Sequence, residues 1–378
     1  MNNEPKYVKV KHSILRKIQN RDLLPNDKLA SEEEYAKHYG VSTITVKKAL
    51  SELASEGYIR RTKGQGSFVE SSQKPVGTSH LVALVLSSEY QQDSSVIQII
   101  IGAQQMLSNF GYALIVEWNE GGLEEEKGII QKMLAQGVEG FLIYPFDPVP
   151  STANYSLIEH QGFPYVLIDR YNPEHKSFFA GCDNYNGAIT ATRKLLRLKH
   201  TKIKFASYHF FLSSEQERFD GYCHAMRQAG LEITKENLLT DINYDMLAND
   251  ILAHNTTAIF CCNDRLALKM IENLIKRGIR IPQDVSIFGF DDWSGSQQSA
   301  VSISTLKQDF EEEGGNAAIL LINAMKGHFK SNDTRLLSGA QLILRESVCK
   351  NPYANPCDRE KETQKNEKST LDSGRQCL

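Results

Sequence analysis

From residue 80 onward, short apolar segments alternate with longer amphipathic ones, and this alternation limits the possible folds more than any other feature. Continuous apolar strands separated by helices are typical of parallel sheets that are covered on both faces. The elements are too many for one sheet, so we predict an α/β body of two parallel-sheet lobes. The predicted strands cover 81–86, 113–116, 141–144, 165–168, 203–207, 258–261 and 285–290, and the predicted helices cover 96–110, 124–136, 155–161, 185–198, 215–229 and 265–277.

Residues 1–70 follow a different pattern, in which three helix-sized segments precede two short strands. Ser31 and Glu34 form a capping box that begins the second helix, and Gly40 ends it. The two strands flank a glycine-rich turn, so we predict a winged helix-turn-helix domain with this hairpin as its wing. The predicted elements are helices over 6–20, 31–38 and 42–57 and strands over 58–61 and 67–69.

Charge supports a nucleic-acid partner for this N-terminal domain. Residues 1–70 contain 13 Lys and Arg against 9 Asp and Glu, a net charge of +4, whereas the whole chain carries −3. The third helix presents hydroxyl and amine groups opposite its apolar stripe, and such groups suit base edges and phosphates in the major groove. The predicted DNA-binding residues are Glu32, Ser42, Thr43, Thr45, Lys47 and Lys48, with Lys63, Gly64, Gln65 and Gly66 from the wing.

These segments closely resemble the GntR family of winged helix-turn-helix regulators over residues 5–70. The resemblance rests on the runs 29–34, 40–50 and 57–69, which contain the capping box, the turn before the third helix and the wing. Thr43 stands where the family often has Arg, and Glu33 replaces another frequent Arg. The resemblance implies operator DNA as a partner, but the operator sequence cannot be taken from relatives.

Polar side chains follow several of the predicted strands of the body. The carboxyl ends of parallel strands meet at one edge of a sheet, where ligands of open α/β proteins bind. Carboxylates, amides and an arginine in one cleft suit a neutral, polyhydroxylated ligand, because each hydroxyl can donate to an acid and accept from Arg or Asn. The candidates are Glu89, Asp93, Asp169, Arg170, Asp183, Arg218, Asn263, Asp291 and Trp293, the last as an aromatic surface for a sugar ring.

The body resembles the effector domain of the LacI/GalR family, related to periplasmic sugar-binding proteins, over residues 80–348. The matching runs are 182–188, 198–200, 217–222, 262–268, 285–292 and 303–308. This resemblance implies that Arg218, Asn263 and Asp291 hold sugar hydroxyls and that Asp183 is a further contact. A GntR-type head on a LacI-type body is similar to a group of bacterial arabinose repressors, which implies L-arabinose as effector. Another pentose or hexose stays open.

The remaining features concern the class and location of the protein. No apolar run has the length of a membrane helix, the first ten residues lack the apolar core of a signal peptide, and seven cysteines show no CxxC spacing. We therefore expect a cytoplasmic protein. Residues 71–79 read as a polar linker, and 349–378 contain few large apolar residues and are predicted to be disordered.

A sugar-processing α/β enzyme is the rival interpretation. No glycine-rich dinucleotide motif follows a strand, and neither a P-loop nor a nucleophile elbow is present in the sequence. We therefore predict no enzyme activity, no cofactor and no metal. The prediction is a homodimeric repressor that a bound monosaccharide releases from a near-palindromic operator.

Overall fold

The computed structural model describes residues 5–19, 22–24, 26–55, 58–62, 66–69, 79–87, 93–208, 212–297, 299–328 and 334–354. The chain divides into two compact units at the boundary between Ser79 and His80. All of the predicted linker except Ser79, and the tail beyond residue 354, lie outside the described residues. Within the described part of the chain, no helix is both long and apolar enough to cross a membrane.

The first unit has the predicted winged helix-turn-helix fold. The strands β1 and β2 pair antiparallel, with Ile59 opposite Val69 and Thr62 opposite Gly66. Its core joins all three helices to the hairpin through side chains such as Ile14, Leu50 and Ile59. The elements are α1 (Lys6–Gln19), α2 (Glu32–Tyr39), α3 (Thr43–Ser55), β1 (Ile59–Thr62) and β2 (Gly66–Val69).

Both ends of α2 are fixed by local interactions. The Glu34 amide donates to Ser31 Oγ at 3.2 Å, and the Ser31 amide donates to Glu34 Oε2 at 2.7 Å, which completes the capping box. Gly40 ends α2 with φ of 62°, a backbone conformation that favours glycine. The sequence signals at both ends of α2 are therefore confirmed.

The second unit has the predicted α/β architecture with two parallel sheets. Its strands are β3 (Leu81–Ser87), β4 (Ala113–Asn119), β5 (Gly140–Ile143), β6 (Tyr165–Ile168), β7 (Phe178–Cys182), β8 (Ile203–Ala206), β9 (Leu238–Leu239), β10 (Ala258–Cys261), β11 (Ser286–Phe288), β12 (Thr305–Lys307), β13 (Arg335–Ser338) and β14 (Gln341–Ile343). Its helices are α4 (Ser94–Asn109), α5 (Leu123–Ala135), α6 (Thr152–His160), α7 (Asn184–Arg197), α8 (Ser213–Gln228), α9 (Tyr244–Leu252), α10 (Asp264–Ile275) and α11 (Phe310–Met325).

Each parallel sheet forms the centre of one lobe. The first lobe has six strands in the order β13-β7-β6-β5-β3-β4, and the second has four in the order β11-β10-β8-β9. The strands β12 and β14 form a separate antiparallel pair that packs with the second lobe. Both sheets lie among buried apolar side chains, which accounts for strands such as β3 that are apolar on both faces.

The chain passes between the lobes at three places. It leaves the first lobe after β7, returns to it between β12 and α11, and leaves again between β13 and β14. At the first and third crossings the strands run side by side, and the Asp183 amide donates to the Ser338 carbonyl at 2.8 Å. Three covalent connections therefore hold the two lobes around one cleft.

Residues 349–354 correct the prediction of a disordered segment beginning at 349. The Asn351 side-chain amide donates to the Lys199 carbonyl at 3.0 Å, and the Tyr353 ring stacks on His254 with 3.7 Å between centroids. Composition predicted disorder because the segment has few apolar groups, but hydrogen bonds and one aromatic contact attach it to the second lobe. The longer tail stays a prediction.

Two glycines bring helices α4 and α11 into backbone contact in the first lobe. A Cβ at Gly314 would lie 2.1 Å from the Ile99 carbonyl oxygen, and one at Gly102 would lie 1.9 Å from that of Glu311. Backbone atoms cannot move aside as a flexible side chain can, so any larger residue separates the helices. This contact positions Asp93, which caps α4 at the cleft.

Gly314→Ala is expected to destabilise the protein by about 1–3 kcal/mol, because the overlap with the Ile99 carbonyl outweighs the better helix propensity of alanine. The matched control is Gly128→Ala on α5, where a Cβ meets nothing within 4 Å. This control should raise stability by about 0.5–1 kcal/mol. Urea denaturation of both variants measures the difference, and equal effects of the same sign would contradict the close contact.

Candidate DNA-binding surface and effector cleft

The first turn of α3 begins at a hydroxyl cap. The Thr45 amide donates to Ser42 Oγ at 3.2 Å, and Ser42 Oγ lies 2.8 Å from Thr45 Oγ1. Both hydroxyls therefore take part in capping α3, and their contacts with DNA stay predictions. Thr43 and Lys47 are exposed on the same helix.

Other predicted DNA contacts have partners inside the first unit. The Lys48 ammonium lies 3.8 Å from the centroid of the Tyr7 ring, a cation–π contact. Glu32 forms an ion pair with Arg61. Gly66 is exposed, with φ of 111°, a conformation that requires glycine at this end of the wing. The other predicted wing contacts, Lys63, Gly64 and Gln65, lie outside the described residues.

Arg218 is the centre of the polar network in the cleft. Its side chain is only 5% exposed, its Nε donates to Asn184 Oδ1 at 2.8 Å and its Nη1 donates to the Cys262 carbonyl at 2.6 Å. The guanidinium carbon lies 3.9 Å from the centroid of the Phe290 ring. These contacts fix the plane of the guanidinium and leave Nη2 directed towards Asp291, 3.4 Å away.

Asp291 follows β11 and lies beside Arg218. Its φ of 109° is unusual for a residue with a side chain and places strain at this strand end. Gln308 Nε2 donates to Asp291 Oδ1 at 2.6 Å, and Gln308 Oε1 is buried without a partner among the described residues. Burial raises the pKa of Asp291 to about 7, and Arg218 and Gln308 oppose that rise.

Asp169 and Arg170 come from the first lobe, directly after β6. The Arg170 Nε donates to Asp169 Oδ2 at 3.2 Å, and its Nη2 donates to the Tyr144 hydroxyl at 2.6 Å. Both charged side chains are at most 10% exposed. The charge of Asp169 contributes to the raised pKa of Asp291, so the two strand ends face one cleft.

Asp93 and Arg265 join the two lobes. Asp93 Oδ1 accepts from the Ser95 amide at 2.9 Å as the cap of α4, and Oδ2 accepts from Arg265 Nη2 at 2.6 Å. Arg265 lies on the first turn of α10, 47% exposed, and its guanidinium carbon is 5.4 Å from the Trp293 ring centroid. Sequence reasoning missed Arg265, although its place directly after Asn263-Asp264 at a strand end was an available signal.

Two predicted ligand contacts act as helix caps. Asp183 accepts from the amide of Asn186 at 3.1 Å with one oxygen and from its side chain at 2.7 Å with the other, at the start of α7. Asn263 Oδ1 accepts from the Leu266 amide at 2.8 Å and caps α10. Glu89 lies outside the described residues.

A second link between the lobes was also missed from the sequence. The Tyr171 hydroxyl from the first lobe donates to Glu217 Oε1 at 2.6 Å, and the Tyr171 amide donates to Ser213 Oγ at 2.9 Å. Glu217 Oε2 also accepts from Asn184 at 3.2 Å, which continues the network to Arg218. No sequence pattern pairs Tyr171 with Glu217, because they come from different lobes.

Glu313, on α11, is a buried acid that sequence reasoning did not identify. It is fully buried, Ser338 Oγ donates to its Oε1 at 3.3 Å, and Oε2 has no partner among the described residues. Burial and the charge of Asp169 hold its pKa well above the ordinary value. In the described parts of the chain, no group of three His, Cys, Asp or Glu side chains is arranged to hold a metal ion.

The two units and the cleft are those of a sugar-responsive transcriptional repressor whose DNA-binding domain is a winged helix-turn-helix. Residues 6–69 match the gntR family of bacterial regulatory proteins, and residues 192–348 match the periplasmic binding protein-like domain. The arabinose metabolism transcriptional repressor of Halalkalibacterium halodurans is 32% identical, over 91% of this chain and 94% of that protein. The chain therefore belongs to the family of arabinose metabolism transcriptional repressors.

Further relatives match most of the chain. The arabinose metabolism transcriptional repressor of Geobacillus stearothermophilus is 27% identical, over 91% of this chain and 98% of that protein. The solved complex of the transcriptional regulator CelR with cellobiose has a TM-score of 0.60 and 26% identity, covering 81% of this chain and 90% of that one. A Lac repressor dimer bound to operator, 19% identical with a TM-score of 0.61 over 72% of this chain and 94% of that one, shares the fold.

Proposed function

We propose that the cleft binds a neutral monosaccharide, with L-arabinose as the first candidate, and that binding releases the protein from operator DNA. The carrying observation is that three carboxylates each lie beside an arginine in the cleft: Asp93 with Arg265, Asp169 with Arg170, and Asp291 with Arg218. Sugar hydroxyls both donate and accept, so each can bind a carboxylate and a guanidinium together. The balanced charges favour a neutral sugar over a phosphorylated one.

The choice of L-arabinose rests on the relatives, two of which are repressors of arabinose metabolism. The polar groups of the cleft suit any small polyol, so another pentose or hexose is the alternative. The relatives described above are transcriptional regulators, which favours binding without conversion of the sugar. An enzyme that processes the sugar is the second alternative.

Release follows from the contacts between the lobes. The Asp93–Arg265 pair and the Tyr171–Glu217 hydrogen bond both span the cleft, so a ligand between them competes with or tightens these contacts and changes the angle between the lobes. A change that weakens operator binding must, by thermodynamic reciprocity, make operator DNA weaken sugar binding by the same factor.

We further propose that two chains act as a homodimer in the cytoplasm. Ile97 and Ile101 lie one turn apart on α4 and are 46% and 40% exposed, which supports an apolar contact between copies. The two DNA-binding domains of the dimer would then bind the two halves of a near-palindromic operator. Analytical sedimentation of the wild type and of a double variant, Ile97→Lys with Ile101→Lys, tests this arrangement. A variant that stays dimeric would contradict the proposed contact.

A panel of sugars tests the proposed effector. The full chain is titrated with L-arabinose, D-arabinose, D-xylose, D-ribose, D-galactose and cellobiose by calorimetry and thermal shift. L-Arabinose at about 100 times its Kd should raise stability by about 2.7 kcal/mol and weaken operator binding in a gel-shift assay. Its enantiomer is the matched control.

Four results would contradict parts of this proposal. Equal binding of both arabinose enantiomers would show that the cleft is not a stereospecific arabinose site. A stronger response to another sugar would identify that sugar, and not L-arabinose, as the effector. Sugar recovered in altered form by chromatography would favour the enzyme. Operator affinity that saturating sugar leaves unchanged would refute release.

A further inference from the structure

Ile44 is the most exposed large apolar side chain among the described residues. It lies on the first turn of α3 and is 77% exposed, whereas the other apolar residues of this helix, such as Val46 and Leu50, are buried. Binding of a partner that covers an exposed apolar side chain is favourable, because it removes apolar surface from water. The side chain therefore has a surface available for contact at the start of the helix that enters the major groove in this class of domain.

The polar neighbours of Ile44 are less available than their residue types suggest. The Thr45 hydroxyl is 2.8 Å from the Ser42 hydroxyl, and the Lys48 ammonium lies over the Tyr7 ring. Residues three and four apart share one face of a helix, so Ile44 lies beside Lys47, and Thr43 adjoins them. An exposed apolar group next to a cation is suited to a DNA edge, where the cation meets phosphate and the apolar group meets a base.

We propose that Ile44 determines operator specificity by packing against the C5-methyl group of a thymine in the major groove. Among the bases, thymine alone presents a methyl group in that groove, and apolar side chains recognise it there. The N-terminal residues of a recognition helix are the ones that reach base edges. This inference rests on the operator binding proposed above, and it adds that Ile44 recognises thymine.

Removal of single methyl groups from the operator tests the proposal. A duplex is first selected from a randomised pool with the full-length protein, and each thymine in it is then replaced by uracil, which lacks only the methyl group. Fluorescence anisotropy measures the affinity of the wild type and of Ile44→Ala for each duplex. Replacement of the contacted thymine in a single half-site should weaken wild-type binding about four-fold, the value for one buried methyl group, and the same replacement should have no effect on Ile44→Ala.

Matched variants separate base reading from general effects. Ile44→Val keeps a branched apolar side chain and should keep the dependence on the methyl group. Leu24→Ala removes another exposed apolar side chain from the same unit, 51% exposed, and should bind every duplex as the wild type does. Circular dichroism and the sugar-induced thermal shift show that each variant is folded.

Three outcomes would overturn the proposal. Wild-type affinity that no uracil replacement changes would exclude methyl reading while leaving operator binding intact. A penalty for uracil that persists in Ile44→Ala would assign the methyl contact to another residue. Failure to select any duplex would refute operator binding itself, and the role of Ile44 with it.

Discussion

Arg218→Ala is expected to weaken sugar binding on the order of 100-fold or more and to leave operator affinity unchanged. Arg218 is nearly buried, and its guanidinium is oriented by Asn184 and by the Cys262 carbonyl beside Asp291. Truncation of Arg218 removes a hydrogen-bond donor to the sugar hydroxyls. It also leaves the partly buried carboxylate of Asp291 without its cation. Loss of one partner from a buried, hydrogen-bonded charge pair costs about 2–5 kcal/mol.

Calorimetry with sugar and gel shift with operator measure the two effects of Arg218→Ala. Arg218→Lys keeps the charge but lacks the planar fork, so it should recover only part of the affinity. Lys47→Ala is the converse control, with weaker DNA binding and unchanged sugar affinity, because Lys47 is exposed on α3 in the other unit. Normal sugar affinity in a folded Arg218→Ala protein would show that this cleft is not the sugar site.

Sugar affinity is expected to fall about ten-fold for each pH unit below 7, because the ionised form of Asp291 is the better acceptor for sugar hydroxyls. Burial raises the pKa of Asp291 from 3.8 to about 7, so the carboxyl of the free protein becomes protonated below neutrality. For folding alone the sign is opposite. A raised pKa stabilises the fold most below pH 3.8, and this contribution is lost as pH rises through 7.

Calorimetric titration from pH 5.5 to 8 measures this dependence, with circular dichroism at each pH to show that the protein stays folded. Asp291→Asn is the control. It should bind sugar more weakly at pH 8 and show a flat profile, because its amide does not titrate. Constant wild-type affinity over this range, or the same slope in Asp291→Asn, would contradict the role of Asp291.

The sequence predicted the elements whose signals are local. Ser31, Glu34 and Gly40 determine both ends of α2 through bonds within a few residues, and the apolar run of β3 shows its burial directly. The reading did not identify α11 or the short strands β12, β13 and β14. These segments depend on distant partners, such as β7 for β13, and local periodicity does not contain that information.

Asp291 was predicted as a cleft residue from its type and its place after a strand, and Arg218 from its place early in a helix. At Asp183 the same reasoning did not show that Oδ1 caps α7 and that Oδ2 accepts from the Asn186 side chain. Arg265 and the Tyr171–Glu217 hydrogen bond were missed because each partner belongs to the opposite lobe. Pairs brought together only by tertiary structure have no sequence spacing from which to infer them.

The three crossings between the lobes determine the order in which the protein can be completed on the ribosome. The first lobe starts at residue 81, yet its core includes Phe310, Leu320 and Leu321 from α11, and its edge strand β13 ends at Ser338. The first lobe to emerge is therefore completed only after most of the second lobe has been synthesised. Until α11 is synthesised, the sheet face that it covers stays partly exposed, and nascent chains that stop before residue 310 leave that face open to aggregation.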